Sequence, residues 1–206
     1  MMQHIDVSRV LRQTVACDLY SNLVTRPTGA AVRAQIEALL REAPLRGGRA
    51  LAVIDFSHVR MIDFSCADEV IAKLVLPYCE SPAADAADAY FVFRGVSDEH
   101  WDAIEAVLER HELALVLEEG GEVRVAGVLA EDERLVWGAV ARLGSGDAAE
   151  VVRVLASQAE RADGGIAPPS TAEVARLLER LHRRRVLMRL DDGYYVAVGA
   201  GALGDG

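Results

Sequence analysis

The chain has 206 residues, 51% of them apolar, and a formal net charge of −10. That length fits one large domain or two small ones, the apolar share is enough for a buried core, and the acidic balance argues against general polyanion binding. The charge is uneven: residues 1–130 hold 20 acidic and 12 basic side chains, whereas residues 131–198 hold 11 and 10, so the two stretches offer partners different surfaces.

The opening residues fit two patterns. Ile5 and Val7 alternate as in a strand, while Val7, Val10 and Leu11 suit one face of a helix. Thr25 or Thr28 can cap a helix whose first turn accommodates Pro27, and Val32, Ile36, Leu39 and Leu40 line one face of it until Gly47 and Gly48 break the chain. Ala50 to Phe56 is a near-continuous apolar run, typical of a strand covered on both faces. Ser65 to Leu76 returns to helical spacing, with Ala67, Val70, Ile71 and Leu74 on one side. Ala89 to Phe93 predicts the next strand, and Ser97 caps a helix carrying Trp101, Ile104 and Leu108. Leu113 to Leu117 and Glu122 to Val128 flank Gly120-Gly121, a hairpin signal. This order predicts an α/β sheet with packed helices over residues 1–128.

The composition shifts near Ala130. Leu135, Ala139, Val140 and Leu143 mark one amphipathic helix, and Ala148 to Ala156 a second. Ala162 to Pro169 reads as a loop. Ser170-Thr171 caps a third helix with Val174, Leu177, Leu178 and Leu181 inward, and Val186 to Leu190 and Tyr194 to Val198 are short strands around Asp191-Asp192-Gly193. Residues 129–198 thus form a second, small α+β domain, followed by a Gly-rich tail over 199–206 that is expected to be disordered.

Cys17, Cys66 and Cys79 show no paired spacing, so neither a zinc site nor a disulfide framework is indicated, and buried reduced thiols are expected. The N-terminus lacks the basic start and long apolar run of a signal peptide. The run Ala50 to Ile54 is far short of the roughly 20 residues a membrane helix needs. The expectation is a cytoplasmic protein with no membrane partner.

The segment from Val53 to Val70 carries the most information. A buried strand ends at Asp55, a short loop follows, and a helix starts near Ser65. Asp63 or Ser65 can accept bonds from the free N–H groups of that helix start, Ser65 with Asp68 is close to a capping box, and negative charge is favoured there. Asp55-Phe56-Ser57, Val59, Ile62-Asp63, Ser65 and Ala67-Asp68-Glu69, with Thr25-Arg26 upstream, resemble the STAS domain of anti-sigma factor antagonists, and more closely a STAS-like family of unknown function. The resemblance spans about residues 20–95 and implies a regulatory domain that docks a partner protein, a kinase-like ATPase of the GHKL type, around Ser57, Asp63, Phe64, Ser65 and Asp68. In the antagonists the first serine of an Asp-Ser-Ser motif is phosphorylated; here Phe64 stands in that place, only Ser65 remains, and Cys66 replaces the usual glycine. An exposed Phe64 implies constitutive hydrophobic docking, while a phosphate on Ser65 would be tolerated at the helix start, so a phospho-switch at Ser65 stays open beside it.

Three helices followed by a two-stranded wing resemble a winged helix domain. In that fold the third helix lies in the major groove, so Arg176, Arg180 and Arg183, which share a face, and Arg184 and Arg185 beyond them are the candidate DNA contacts. Glu173 and Glu179 stand at pairing distance from Arg176 and Arg183, and Asp191 and Asp192 would repel phosphate, so DNA contact and protein-only contact both stay open.

No phosphate-loop, dinucleotide, zinc-protease or nucleophile-elbow motif is present, and the five histidines show no metal-ligand spacing, so neither catalysis nor a cofactor is expected. The leading expectation is a partner-binding regulator. The alternative is a DNA-binding transcription regulator whose N-terminal domain senses a ligand or forms a homodimer.

Overall fold

The structure, a computed structural model, describes residues 2–14, 22–42, 49–80, 88–161 and 169–200. Cys17, the break expected at Gly47 and Gly48, and most of the loop expected from Ala162 lie outside the described residues. The chain divides into two compact units, Met1–Val128 and Leu129–Gly206, and is of mixed α/β class.

In the first unit the elements run β1 (Gln3–Asp6), α1 (Val7–Thr14), β2 (Asn22–Leu23), α2 (Arg26–Glu42), β3 (Arg49–Asp55), β4 (Met61–Ile62), α3 (Phe64–Ala67), a π-helical segment (Asp68–Ala72), α4 (Lys73–Glu80), β5 (Asp88–Arg94), α5 (Asp98–Arg110), β6 (Ala114–Glu119) and β7 (Glu122–Gly127). Both readings of the N-terminus hold: Ile5 is buried in a strand, and the chain then turns directly into α1. The Asp6 carboxylate makes that switch by accepting from the Ser8 and Arg9 N–H groups and the Ser8 hydroxyl.

Five strands form one sheet in the order β1-β3-β5-β6-β7. The first four are parallel and β7 runs antiparallel to β6. Strand residues alternate between faces. Ile5, Ala52, Ile54, Phe91, Phe93, Leu115 and Leu117 join Val32, Ile36, Val70, Ile71, Ile104 and Leu108 of the helices in one core. Val53, Tyr90, Val92, Ala114 and Val116 alternate to the other face and are buried as well, which explains why these strands read as unbroken apolar runs. Burying one such side chain is worth about 1.5–3 kcal/mol. The hairpin turns on Gly120 (φ +62°) and Gly121 (φ +88°), a two-residue turn with both φ positive.

The second unit contains α6 (Glu131–Leu143), α7 (Ala148–Arg161), α8 (Thr171–Arg183), β8 (Leu187–Arg189) and β9 (Tyr195–Ala197). The inner face of α6 is rotated from the expected one. Ala139 and Val140 are buried as expected, but Leu135 is 53% exposed and Leu143 38%, and Glu133, Val136 and Trp137 turn inward in their place. Two polar bonds set that rotation: the Trp137 indole N–H donates to the Val186 carbonyl, and the buried Glu133 carboxylate pairs with Arg180. α8 is as expected, with Val174, Leu177, Leu178 and Leu181 buried and Ser170 and Glu173 in a reciprocal capping box. β8 and β9 form an antiparallel ribbon, and Gly146, between α6 and α7, bridges to Tyr195. Gly199 and Ala200, expected to open a disordered tail, form a turn closed by the Ala200 N–H on the Ala197 carbonyl; residues 201–206 lie outside the described ones.

Candidate functional site

Parallel pairing of β2 with β4 sets Asn22 beside Met61 and Leu23 beside Ile62, so the chain enters α2 and α3 side by side. Asp63 joins the two entrances. Its Oδ1 accepts from the Cys66 N–H and the Ser65 hydroxyl, both at 2.8 Å, and its Oδ2 accepts from the Thr25 N–H at 3.0 Å. Burial pushes the Asp63 carboxyl up, but these donors outweigh it and hold it below the ordinary carboxylate value. Thr25 sits at φ +76°, a strained conformation for a residue with a Cβ, and its carbonyl accepts from the Gly29 N–H and the Cys66 thiol. Burial, with Asp63 nearby, pushes that thiol up to about 12, so it stays a protonated donor. Gly29 permits the close approach: a Cβ there would stand 2.9 Å from the Cys66 Cα and 3.0 Å from the Glu69 Cβ.

One turn further, Asp68 and Glu69 open the π-helical segment, with side chains only 6% and 4% exposed. Arg26 Nη1 bridges both carboxylates, at 2.7 Å and 2.9 Å. Lys73 pairs with Glu69, Arg33 approaches Glu69 at 3.4 Å, and His111 Nε2 lies 2.8 Å from Asp68. Burial raises both acids, yet the bonds from Arg26 and His111, with the Lys73 charge nearby, hold Asp68 low, and the bonds from Lys73 and Arg26 hold Glu69 low. Both therefore remain charged, locked between α2, the π-helical segment and the end of α5. Backbone strain and π-helical turns both concentrate at functional positions, and here they fall within one contact of each other.

No protein-family model matches this chain, and no curated protein matches it.

Three of the expected roles change. Ser65 is not the cap: Asp63 is, and Ser65 lies inside the first turn as a donor to it. Ser65 with Asp68 forms no capping box, because Asp68 is buried and committed to Arg26 and His111, which removes it from any docking surface. Phe64 is half-buried rather than exposed, with the Arg110 guanidinium 5.6 Å from its ring centre. The exposed apolar side chain at this entrance is Met61, at 49%. Nothing in the sequence marked it, since Met61 is as apolar as its inward neighbours Val59 and Ile62. Glu69 and Lys73 at i, i+4 were a legible pair, whereas nothing in the spacing placed His111 here.

Ser57 stands elsewhere. It is exposed, its N–H donates to Asp55, and it lines a cleft of about 250 Å³ at the carboxyl ends of β3, β5 and β6 with Arg94, Gly95, Glu118 and Arg124. Arg94 is already paired with Glu118 there, and Arg124 with Glu119.

The arginines of the second unit do not form one free basic patch. Arg185 is buried, at 6% exposure. Arg180 Nε is 2.8 Å and Arg184 Nε 3.7 Å from the buried Glu133, and Arg183 pairs with Glu179, as anticipated. Glu173 serves the cap of α8. Arg176 is exposed, with its Nε on the Ala172 carbonyl. Among the described residues no His, Cys, Asp and Glu cluster could hold a metal ion. His100 is buried between the Ser97 N–H and the Val59 carbonyl, a pairing that fixes the neutral Nε2–H tautomer, and burial lowers its pKa.

Proposed function

We propose that residues 1–128 are a STAS-like regulatory domain that docks a partner protein, a kinase-like ATPase of the GHKL type, on the surface where α2 and α3 begin. The observation that carries this reading is the Asp63 clamp. The residues that resemble the STAS-like family, Thr25-Arg26, Asp63 and Asp68-Glu69, lie far apart in sequence and meet in one hydrogen-bonded unit. That unit holds the α3 entrance rigid and leaves Met61, Phe64 and Ser65 at its rim. Docking is constitutive, because a phosphate on Ser65 would sit against the Asp63 carboxylate that its hydroxyl now contacts at 2.8 Å.

The second unit, on this reading, is a winged helix used for protein contact. Three helices, a two-strand ribbon and the Gly146 bridge support the architecture. The pairing of Arg180, Arg183 and Arg184 with Glu133 and Glu179 supports the protein contact over DNA. No helix among the described residues is long and apolar enough to cross a membrane, which is compatible with action in the cytosol.

The test is site-specific photo-crosslinking in the native cell from position 61, with position 102 on α5 as control. A kinase-like ATPase is expected from position 61 alone, with Phe64→Ala reducing its yield. The same adducts from both positions would place the interface elsewhere.

A further inference from the structure

Helix α6 carries an outward face that nothing among the described residues explains. Leu135 is 53% exposed in mid-helix. One turn on, on the same side, stands Gly138, a residue that weakens a helix interior. Its own fold does not require it: a Cβ there would meet only Nη1 of Arg142, at 3.6 Å, the end of a flexible side chain. Glu131 and Arg142, both exposed, close the two ends of this face, and among the described residues neither enters an ion pair. A favourable helix dipole accounts for an acid in the first turn and a base in the last. It accounts for neither an outward leucine nor an interior glycine.

We infer that this face binds a second copy of the chain, as an antiparallel α6–α6 pair about a two-fold axis. With the axis between Val136 and Trp137, Leu135 of each copy is level with Gly138 of the other, and Glu131 is level with Arg142. Each leucine then enters the hole left by the missing side chain, and each end is closed by an ion pair. A two-fold interface must be complementary to itself, and this one is so in both shape and charge. The same four residues set parallel would oppose Glu131 to Glu131 and Arg142 to Arg142, which selects the antiparallel arrangement. A protein of other sequence could fill the groove over Gly138, but a second copy supplies the matching leucine and both charges in register from the sequence of α6 itself.

Sedimentation of the full chain over a range of concentrations tests this. A reversible dimer is expected. Leu135→Lys and Gly138→Leu should each weaken it by at least about tenfold, the first by removing the knob and the second by filling the hole. Glu131→Arg and Arg142→Glu should each weaken it, and the double swap should restore it to within about threefold of wild type. Glu131, Leu135 and Arg142 are exposed in the monomer and Gly138 is half-buried with only the end of the Arg142 side chain over it, so circular dichroism and melting temperature should stay near wild type. If Leu135→Lys fails to fold, the charge swap decides alone. A chain that remains monomeric up to about 1 mM, or a double swap no better than its single parents, overturns the inference.

Discussion

At Asp63 one carboxylate accepts three donors from two helix entrances, so removing it differs from removing any one donor. Asp63→Ala leaves the Thr25 and Cys66 N–H groups and the Ser65 hydroxyl without their acceptor. It thereby strips α3 of its cap. The cap, which is the bond from the Cys66 N–H, is worth about 0.5–2 kcal/mol, and the half-buried Ser65 and exposed Thr25 bonds add about 0.5–1.5 each, so a loss of about 1.5–5 kcal/mol is expected. Ser65→Ala deletes one donor and should cost about 0.5–1.5 kcal/mol. Ser65→Asp should cost more than Ser65→Ala, because the new carboxylate faces Asp63, even though a helix start ordinarily favours an acid. Urea unfolding of the three variants checks the order. A Ser65→Asp chain as stable as wild type would mean that Asp63 can leave its partners cheaply. Both candidate caps were legible in the sequence. The choice between them was not, since it depends on Thr25, thirty-eight residues away, reaching the same carboxylate.

Elements whose outline depends on local chemistry were the readable ones. The Gly120-Gly121 hairpin and the Ser170 capping box follow from neighbours within a few residues, and the apolar spacing of α8 named its buried face. The π-helical segment escaped because its cause is tertiary. Asp68, Glu69, Val70, Ile71 and Ala72 are five successive buried residues, more than one face of an α-helix can turn inward, and only contact with neighbours on several sides buries them all. Gly29 belongs to the same packing. Within α2 alanine is the better helix former, so Gly29→Ala would be stabilising if the helix stood alone. In the folded unit its methyl would press on backbone at Cys66, and a loss of about 1–3 kcal/mol is expected from the overpacking. Thermal unfolding of this variant gives the sign directly. A raised melting temperature would show that α2 can shift away from the α3 entrance, and the site would then be less rigid than its contacts imply.

Across the whole molecule, charge separates the two uses of the second unit. A chain of net charge −10 has no general attraction for a polyanion, so duplex binding would have to come from a local row of arginines strong enough to overcome the rest. That row is thinner in space than in sequence. Arg185 is buried, Arg180 and Arg184 share Glu133, Arg183 is offset by Glu179, and the exposed Asp191 and Asp192 stand at the ribbon turn. The sequence showed the arginines and the nearby Glu179, but Glu133 is on another helix, and nothing in the spacing placed it beside them. The intact chain should therefore show no duplex binding tighter than about 100 µM at roughly 0.1 M salt, which is the weak end of non-specific association. Fluorescence anisotropy with a labelled duplex, titrated at several salt concentrations, measures it. If binding does appear, replacing Arg176, Arg180 and Arg183 together with Ala separates its two sources. A DNA-reading α8 would lose up to about three units of salt slope, one for each phosphate contact removed. Binding with a steep slope that falls in this way would favour the transcription-regulator reading, and would also require Arg180 to exchange Glu133 for phosphate. In that event Glu133→Gln, which frees Arg180 without removing it, should tighten the duplex rather than weaken it.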